Sequence, residues 1–234
     1  MAVPTVLAWS GGKDSALALQ ALRGDPAFDV IALLTTVTRD YDRISMHGVR
    51  RSLLHAQAAA LGLPLVEAWI PVKADNASYE SAMRGALDEI RERFPEVRHL
   101  AFGDLFLADV RAYRERSLVG TGFLPVFPLW GLNTRTLASR FISDGFEAVI
   151  ACVDSQQIAA SFAGRAFNAA LLAELPASAD PCGENGEFHT FVGAGPMFAH
   201  PIPYQRGEIV VRDERFVYCD LVPTEGRVAF NEFG

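Results

Sequence analysis

Short apolar runs alternate with longer segments of mixed polarity along the first half of the chain. Runs rich in Val, Ile, Leu and Ala predict buried strands, and they lie at 5–9, 28–37, 65–70, 99–102 and 125–130. Segments of helix-forming residues lie between them and predict helices at 16–22, 46–61, 76–94 and 107–118. Strands that alternate with helices predict an α/β fold, a doubly wound and mostly parallel sheet with right-handed crossovers.

The pattern changes after residue 132. It predicts helices at 134–143 and 167–175, a strand at 147–153 and short β segments at 208–212 and 216–222. We therefore expect a first domain at 1–132 and a smaller α+β domain at 133–234, packed against the first. The boundary is soft because no flexible linker separates the two parts.

A chemically distinctive turn joins the first predicted strand to the first helix, and its sequence is Ser10-Gly11-Gly12-Lys13-Asp14-Ser15. Adjacent glycines let the backbone turn sharply and approach a ligand closely. A helix N-terminus offers free N–H groups and the positive end of its dipole, and Lys13 adds a full charge. Together these features predict a phosphate site. The alternative is an ordinary tight turn in which Asp14 or Ser15 caps the helix.

Two common phosphate-binding motifs are excluded at this turn. A Walker loop has four residues between its first glycine and Gly-Lys-Ser/Thr, whereas the glycines here are adjacent. The dinucleotide pattern G-x-G-x-x-G is also absent. A different kind of phosphate loop is needed to explain the turn.

A second distinctive segment lies in the C-terminal part and reads Asp180-Pro181-Cys182-Gly183-Glu184-Asn185-Gly186-Glu187-Phe188-His189-Thr190. A bland polar loop would explain many of these residues, because turns favour them. Cysteine, phenylalanine and histidine are not typical of solvated loops, however. The segment also leads into the apolar Phe191-Val192, so we expect it to be anchored against the fold and to complete the site.

Two further positions are candidates because they follow strands of the predicted sheet, where ligands bind. After the second strand, His47 is suited to contact a nucleotide and Arg50 to hold phosphate, unless they only begin a helix. Gly103-Asp104 ends the fourth strand, where Asp104 is suited to bind Mg²⁺ or orient a substrate, unless it is a helix cap. The next helix carries Arg111, Arg114 and Arg116. An exposed helical face would explain all three, and we prefer that interpretation for Arg116.

Composition narrows the class of protein. The net charge of −7 argues against a broad electrostatic grip on nucleic acid. The three cysteines are widely spaced and form no C-x-x-C pair, so neither a disulfide framework nor a structural zinc site is predicted. The start lacks a signal-peptide pattern and no apolar run could span a membrane. We expect a soluble cytoplasmic protein and leave a homo-oligomer open.

Both distinctive segments resemble known motifs. Residues 10–15 resemble the PP-loop of the N-type ATP pyrophosphatases, a superfamily of the adenine nucleotide alpha hydrolase-like fold. Residues 182–190 resemble the C-G-E-x-G-E-[FY]-x-T motif of the diphthine–ammonia ligase-like family, and the chain is similar to its shorter, bacterial-type members. Further short matches occur in the family's order at Met46-His47, Gly103-Asp104 and Pro128-Leu129-Trp130.

The resemblance implies an ATP-dependent ligase. ATP would be cleaved between its α and β phosphates, a carboxylate acceptor would be adenylated, and ammonia would then form an amide. It implies ATP and Mg²⁺ as cofactors, with the nucleotide held by residues 10–15, His47, Arg50 and Gly103. The implied catalytic residues are Lys13, Asp14, Asp104, Glu184, Glu187 and His189, of which Asp14 and Asp104 would bind the metal.

Two alternatives stay open. One is a PP-loop enzyme that thiolates or modifies tRNA or a small molecule, although the cysteine pair and basic module expected of it are missing. The other is a nucleotide-binding protein without catalysis. The role of Cys182 is also open between a catalytic thiolate, which nearby carboxylates would disfavour, and a buried structural thiol.

Overall fold

The computed structural model describes residues 1–224. Its strands are β1 (Val3–Ala8), β2 (Phe28–Thr38), β3 (Arg43–Ile44), β4 (Leu65–Ile70), β5 (His99–Ala101), β6 (Leu124–Val126), β7 (Glu147–Asp154), β8 (Phe188–Ala194), β9 (Tyr204–Arg212) and β10 (Phe216–Pro223). Its helices are α1 (Lys13–Gly24), α2 (Arg51–Leu61), α3 (Asn76–Arg93), α4 (Ala108–Ser117), α5 (Thr134–Ser143) and α6 (Ala169–Glu174).

The first sheet is mostly parallel. Strands β4, β2, β1, β5 and β6 lie side by side in that order and run in parallel, while β3 adds a short antiparallel pairing to the end of β2. Because parallel strands need helical crossovers, both faces of the sheet are covered. The carboxyl ends of the parallel strands meet at one edge, where the loops that follow them face a common space.

The second sheet is antiparallel, with strand order β8-β7-β10-β9. One hydrophobic core joins it to the first sheet, since Leu7 and Leu54 belong to the same buried cluster as Phe141, Phe191 and Leu221. A second cluster, which contains Val6 of β1 and Leu87 of α3, covers the other face of the parallel sheet. The shared core holds the second sheet beside the carboxyl edge of the first.

The predicted fold class is confirmed: an α/β part with a mostly parallel sheet is followed by a part built on an antiparallel sheet. The predicted division at residue 132 stays a prediction, and the end of its second domain, 225–234, lies outside the described residues. None of the helices in residues 1–224 has the length and hydrophobicity of a membrane span.

Two predicted elements were wrong in extent, and one strand was not predicted. The helix expected at 46–61 begins only at Arg51, because Met46 and Gly48 have positive φ angles of 67° and 68°, which a helix cannot contain. The strand expected at 125–130 covers only Leu124–Val126, and residues 127–130 form a turn. Strand β8 was not predicted, because its apolar residues directly follow the polar run at 180–187.

Candidate active site

A cavity of about 740 Å³ opens at the carboxyl edge of the parallel sheet. One wall is the first loop, residues 10–15, and the opposite wall includes the ends of β2 and β4. The second loop, residues 180–190, and the β9–β10 hairpin close it from the antiparallel sheet. Most of the residues proposed from sequence line this cavity: Ser10, Lys13, Asp14, Ser15, His47, Gly103, Asp104, Glu184 and His189.

The first loop needs its glycines for two reasons, the backbone conformation and the lack of space for a side chain. Gly11 has a φ of 77°, in the left-handed region that glycine tolerates best. Gly12 is extended, but a Cβ there would lie 3.0 Å from both His47 Cε1 and the Thr190 carbonyl oxygen. Within the described residues, no side-chain hydrogen bond caps α1 at Gly12. The loop is therefore packed against both its neighbours rather than being a free surface turn.

Lys13 ties the two loops together. Its backbone N–H donates to Thr190 Oγ1 at 3.0 Å, and its Nζ donates to the carbonyl of Cys182. The same Nζ lies 2.8 Å from Asp14 Oδ2 and 5.4 Å from the centre of the Phe188 ring. Burial alone would lower the pKa of Lys13, but the adjacent Asp14 carboxylate reverses this and the pKa is raised. Lys13 is thus a buried, fully charged cation.

Gln57 braces the first loop from α2. Its side chain is fully buried and donates to the carbonyl oxygens of Gly11 and Val192, at 3.0 and 2.8 Å. Its Oε1 accepts the indole N–H of Trp9 at 3.0 Å. Val192 in turn donates its N–H to the Gly11 carbonyl at 2.9 Å. Each buried polar group is satisfied, which fixes the loop on β8.

The second loop is organised around two acidic side chains that serve its own backbone. Asp180 Oδ1 accepts the N–H of Cys182 at 2.8 Å, and Glu187 Oε1 accepts the N–H of Asp180 at 2.7 Å. Glu187 is buried and does not line the cavity. The structure therefore places Glu187 inside the loop as a scaffold, away from the catalytic position expected from sequence.

Glu184 is the carboxylate of the second loop that does face the cavity. Its Oε1 accepts the backbone N–H of Leu105 at 2.8 Å, so it bridges to the loop after β5. Burial, reinforced by the nearby Asp14, outweighs this hydrogen bond and raises the pKa of Glu184 to about 7. A carboxyl group with such a pKa exchanges protons readily near neutral pH.

Two histidine rings lie side by side in a tilted arrangement at the junction of the loops. The rings of His47 and His189 lie 4.6 Å apart, and His47 Nδ1 is 3.2 Å from the Thr190 carbonyl oxygen. Burial lowers the pKa of His47 to about 4, and burial together with His47 and Lys13 lowers that of His189 well below its ordinary value. Both rings are therefore neutral at pH 7 and are weak bases.

Asp104 faces the cavity beside Arg114. Arg114 Nε lies 3.5 Å from Asp104 Oδ2, and both atoms are buried without a hydrogen-bond partner in residues 1–224. Burial raises the pKa of Asp104 although Arg114 opposes the change. An exposed helical face does not describe Arg114, which lines the cavity, whereas Arg111 pairs with Glu115 on the helix surface.

No group of three or more metal-ligating side chains occurs in the described part of the chain. Residues 1–224 thus offer no all-protein metal cage. Mg²⁺ commonly binds through one or two carboxylates together with substrate phosphates. Asp14 and Asp104 fit that mode, since both face the cavity and Asp104 Oδ2 has no hydrogen-bond partner among residues 1–224.

Two other sequence-based candidates lie elsewhere. Arg50 does not line the cavity, because its guanidinium pairs with Asp220 at 2.6 Å across to the second sheet. The thiol of Cys182 is buried and lies 3.3 Å from the Thr134 carbonyl oxygen, to which it donates. Burial raises the pKa of Cys182 to about 12, so the group is a neutral structural thiol rather than a thiolate.

Sequence reasoning missed Gln57, Thr190 as a contact of Lys13, and the inward position of Arg114. Gln57 and Thr190 make their contacts over 46 to 177 positions of sequence. No local pattern reports such pairs. The apolar neighbours of Gln57 in α2 were the available signal, since a lone amide on a buried helix face needs partners.

Comparison with protein families gives two consecutive matches. Residues 3–122 match the model described as diphthamide synthase N-terminal domain, and residues 133–220 match the diphthamide synthase C-terminal domain. No curated protein matches the chain. The two loops that meet in the cavity fall one in each matched region.

Proposed function

The chain belongs to the diphthamide synthase family, the diphthine–ammonia ligase-like PP-loop family, and from this premise we propose that it is an ATP-dependent, amide-forming ligase. The observation that carries the proposal is the direct connection of the two loops through Lys13, Thr190 and His47. The same cavity therefore contains a loop of the phosphate-binding type and the carboxyl group of Glu184, which can exchange protons near pH 7.

In this proposal the phosphates of ATP lie against the first loop, at the N-terminus of α1. The adenosine lies toward the ends of β2, β4 and β5, where apolar side chains line the cavity, among them Leu34, Ile70 and Phe102. A carboxylate oxygen of the acceptor attacks the α phosphorus, and pyrophosphate leaves. The positive charge of Lys13 stabilises the departing group. Mg²⁺, held by Asp14 and Asp104 with the phosphates, would supply further charge neutralisation.

Ammonia then attacks the activated acyl carbon and AMP leaves. The nitrogen must lose a proton as the amide forms, and Glu184 is the group suited to accept it. His189 is less suited because its lowered pKa makes it a weak base. The second loop also covers the cavity, which limits hydrolysis of the acyl-adenylate by water.

The experiment that tests this function is a screen of candidate carboxylic acids with ATP, ammonia and Mg²⁺. We expect acceptor-dependent release of pyrophosphate and AMP in equal amounts, and loss of turnover when Mg²⁺ is chelated. Release of ADP and phosphate would contradict the proposed cleavage. A thiolated product formed with a sulfur donor would favour the alternative function, a thiolating PP-loop enzyme. The three cysteines of residues 1–224 are buried and do not support that function.

Gly12→Val should weaken ATP binding. The new side chain must push into His47 and the Thr190 carbonyl, each 3.0 Å from the added Cβ. Overpacking of this kind costs about 1–3 kcal/mol, so we expect roughly tenfold weaker affinity by calorimetry. Gly85→Ala, at a helical glycine with no heavy atom within 4 Å of an added Cβ, is the control. Equal affinity in both folded variants would contradict the site.

A further inference from the structure

Part of the cavity is lined by the β9–β10 hairpin and by the residues after β2, and we call this part the distal lobe. Residues two apart in a strand share a face, so Val210 and Arg212 of β9 and Tyr218 and Asp220 of β10 present one surface to the cavity. Tyr41, in the segment after β2, and Arg43 of β3 lie against this surface and also line the cavity.

Positive charge exceeds negative charge in the distal lobe. Asp220 is paired with Arg43 at 2.8 Å and with Arg50 at 2.6 Å. These two arginines hold the carboxylate ionised, and its pKa is lowered to about 2. Among the side chains of this lobe that line the cavity, Arg43 and Arg212 outnumber Asp220, and no ion pair is found for Arg212 within the described residues. The turn residues Asp213 and Glu214 do not line the cavity.

Arg212 is oriented by stacking rather than by hydrogen bonds. Its guanidinium carbon lies 4.6 Å from the centre of the Tyr41 ring. A stacked guanidinium keeps its N–H donors at the ring edge, free for a planar oxyanion. Its side chain donates no hydrogen bond to any residue in 1–224. A pre-oriented arginine with unused donors, facing a cavity, is a typical anion-recognition group.

We propose that the distal lobe binds an anionic group of the acceptor, a carboxylate or phosphate separate from the carboxyl group that is activated. Arg212 makes the main contact. Arg43, which is already paired with Asp220, adds to the positive electrostatic potential. The acceptor is therefore at least doubly anionic, and a cationic end group is disfavoured. This inference rests on the proposed function for the identity of the ligand as acceptor, but it concerns a separate part of the cavity.

Equilibrium binding tests the lobe independently of turnover. The protein is saturated with α,β-methylene-ATP, which occupies the first loop and cannot be cleaved between its α and β phosphates. Three straight-chain acid series are then compared at matched chain length. They carry at the far end a carboxylate (glutarate to suberate), a phosphonate, or a trimethylammonium group.

We expect the doubly anionic acids to bind, and the trimethylammonium acids to bind at least about tenfold more weakly. Arg212→Gln should weaken binding of the best dicarboxylate about tenfold and leave the affinity for the nucleotide unchanged. The matched control is Arg206→Gln, which removes the same charge from the same strand outside the cavity. It should leave both affinities unchanged.

Several results would overturn the inference. They are absence of dicarboxylate binding, equal or tighter binding of the trimethylammonium acids, an Arg212→Gln affinity equal to wild type, and binding that occurs only without the nucleotide analogue. Failure of the ligase function looks different, because then no acid of any end group elicits AMP formation. Binding of a dicarboxylate at Arg212 is measured without turnover, so its outcome does not depend on whether AMP is formed.

Discussion

Lys13→Ala is expected to destabilise the protein by about 3 kcal/mol, because it leaves the Asp14 carboxylate without its cation. Breaking a buried ion pair from one side typically costs about 3–5 kcal/mol. We take the lower end because 29% of the Asp14 side chain is still exposed, whereas only 2% of Lys13 is. The variant also loses the hydrogen bond to the Cys182 carbonyl that ties the second loop to the first. Denaturant-induced unfolding measures the change.

The matched control for this variant is Lys73→Gln, which removes a lysine charge from another residue that lines the cavity. No ion pair is found for Lys73 within residues 1–224, so its loss should change the free energy of unfolding by less than about 0.5 kcal/mol. The double variant Lys13→Ala/Asp14→Ala should recover part of the lost stability. A Lys13→Ala protein as stable as the Lys73→Gln protein would show that the pair does not hold the loops.

This structural role changes how Lys13 can be tested as a nucleotide ligand. Its Nζ donates to the Asp14 carboxylate and to the Cys182 carbonyl, so a contact with phosphate requires an exchange of partners. Loss of ATP affinity in Lys13→Ala is meaningful only for protein shown to be folded. Gly12→Val leaves the ion pair intact and is the cleaner probe of the first loop.

Glu184→Gln is expected to slow amide formation by about 10²–10⁴-fold, the usual contribution of a general base. The amide of glutamine can still accept the Leu105 N–H, so the loop contact is retained. ATP affinity by calorimetry should stay near that of wild type. The control is Glu92→Gln, an exposed carboxylate on α3 away from the cavity. Wild-type turnover in Glu184→Gln would exclude Glu184 as the base.

The pH dependence gives a second signature of Glu184. Hydroxylamine should replace ammonia as nucleophile, because it is already neutral near pH 7 and its own titration does not mask that of the enzyme. The ionised carboxylate is the active base, so kcat/KM should rise with pH through about 7. This limb should vanish in Glu184→Gln.

The same shift in the pKa of Glu184 affects stability. The folded state binds the proton more tightly than the unfolded state, whose pKa is near 4.5. This group's contribution to the free energy of unfolding therefore falls as pH rises from about 4.5 to 7.

The sequence predicted those parts of the fold that depend on local pattern. The apolar runs of β1, β2 and β4 and the alternation with α3 and α4 were enough to indicate a parallel sheet. Where backbone conformation overrides composition the prediction was wrong, as at 46–50, where positive φ angles at Met46 and Gly48 delay α2. The apolar contacts that place β8 beside β7 join residues far apart in sequence, so they left no periodic signal.

The site could be predicted only in part for the same reason. Residue types and motif order brought the correct loops into consideration, but not the direction in which each side chain points. Glu184 and Glu187 are three residues apart in one loop, yet one faces the cavity and the other is its scaffold. Arg114 and Gln57 acquired roles through partners that only the folded chain brings near.

Transfer of ¹⁸O tests the central claim, activation of a carboxylate as an acyl-adenylate, most directly. The best acceptor from the pyrophosphate screen is labelled with ¹⁸O in its carboxylate and incubated with ATP, Mg²⁺ and ammonia. Mass spectrometry then follows the label. The account predicts one ¹⁸O atom in AMP for each amide formed, because the carboxylate oxygen attacks the α phosphorus and leaves with it. AMP without label, or label in inorganic phosphate alongside ADP, would contradict it.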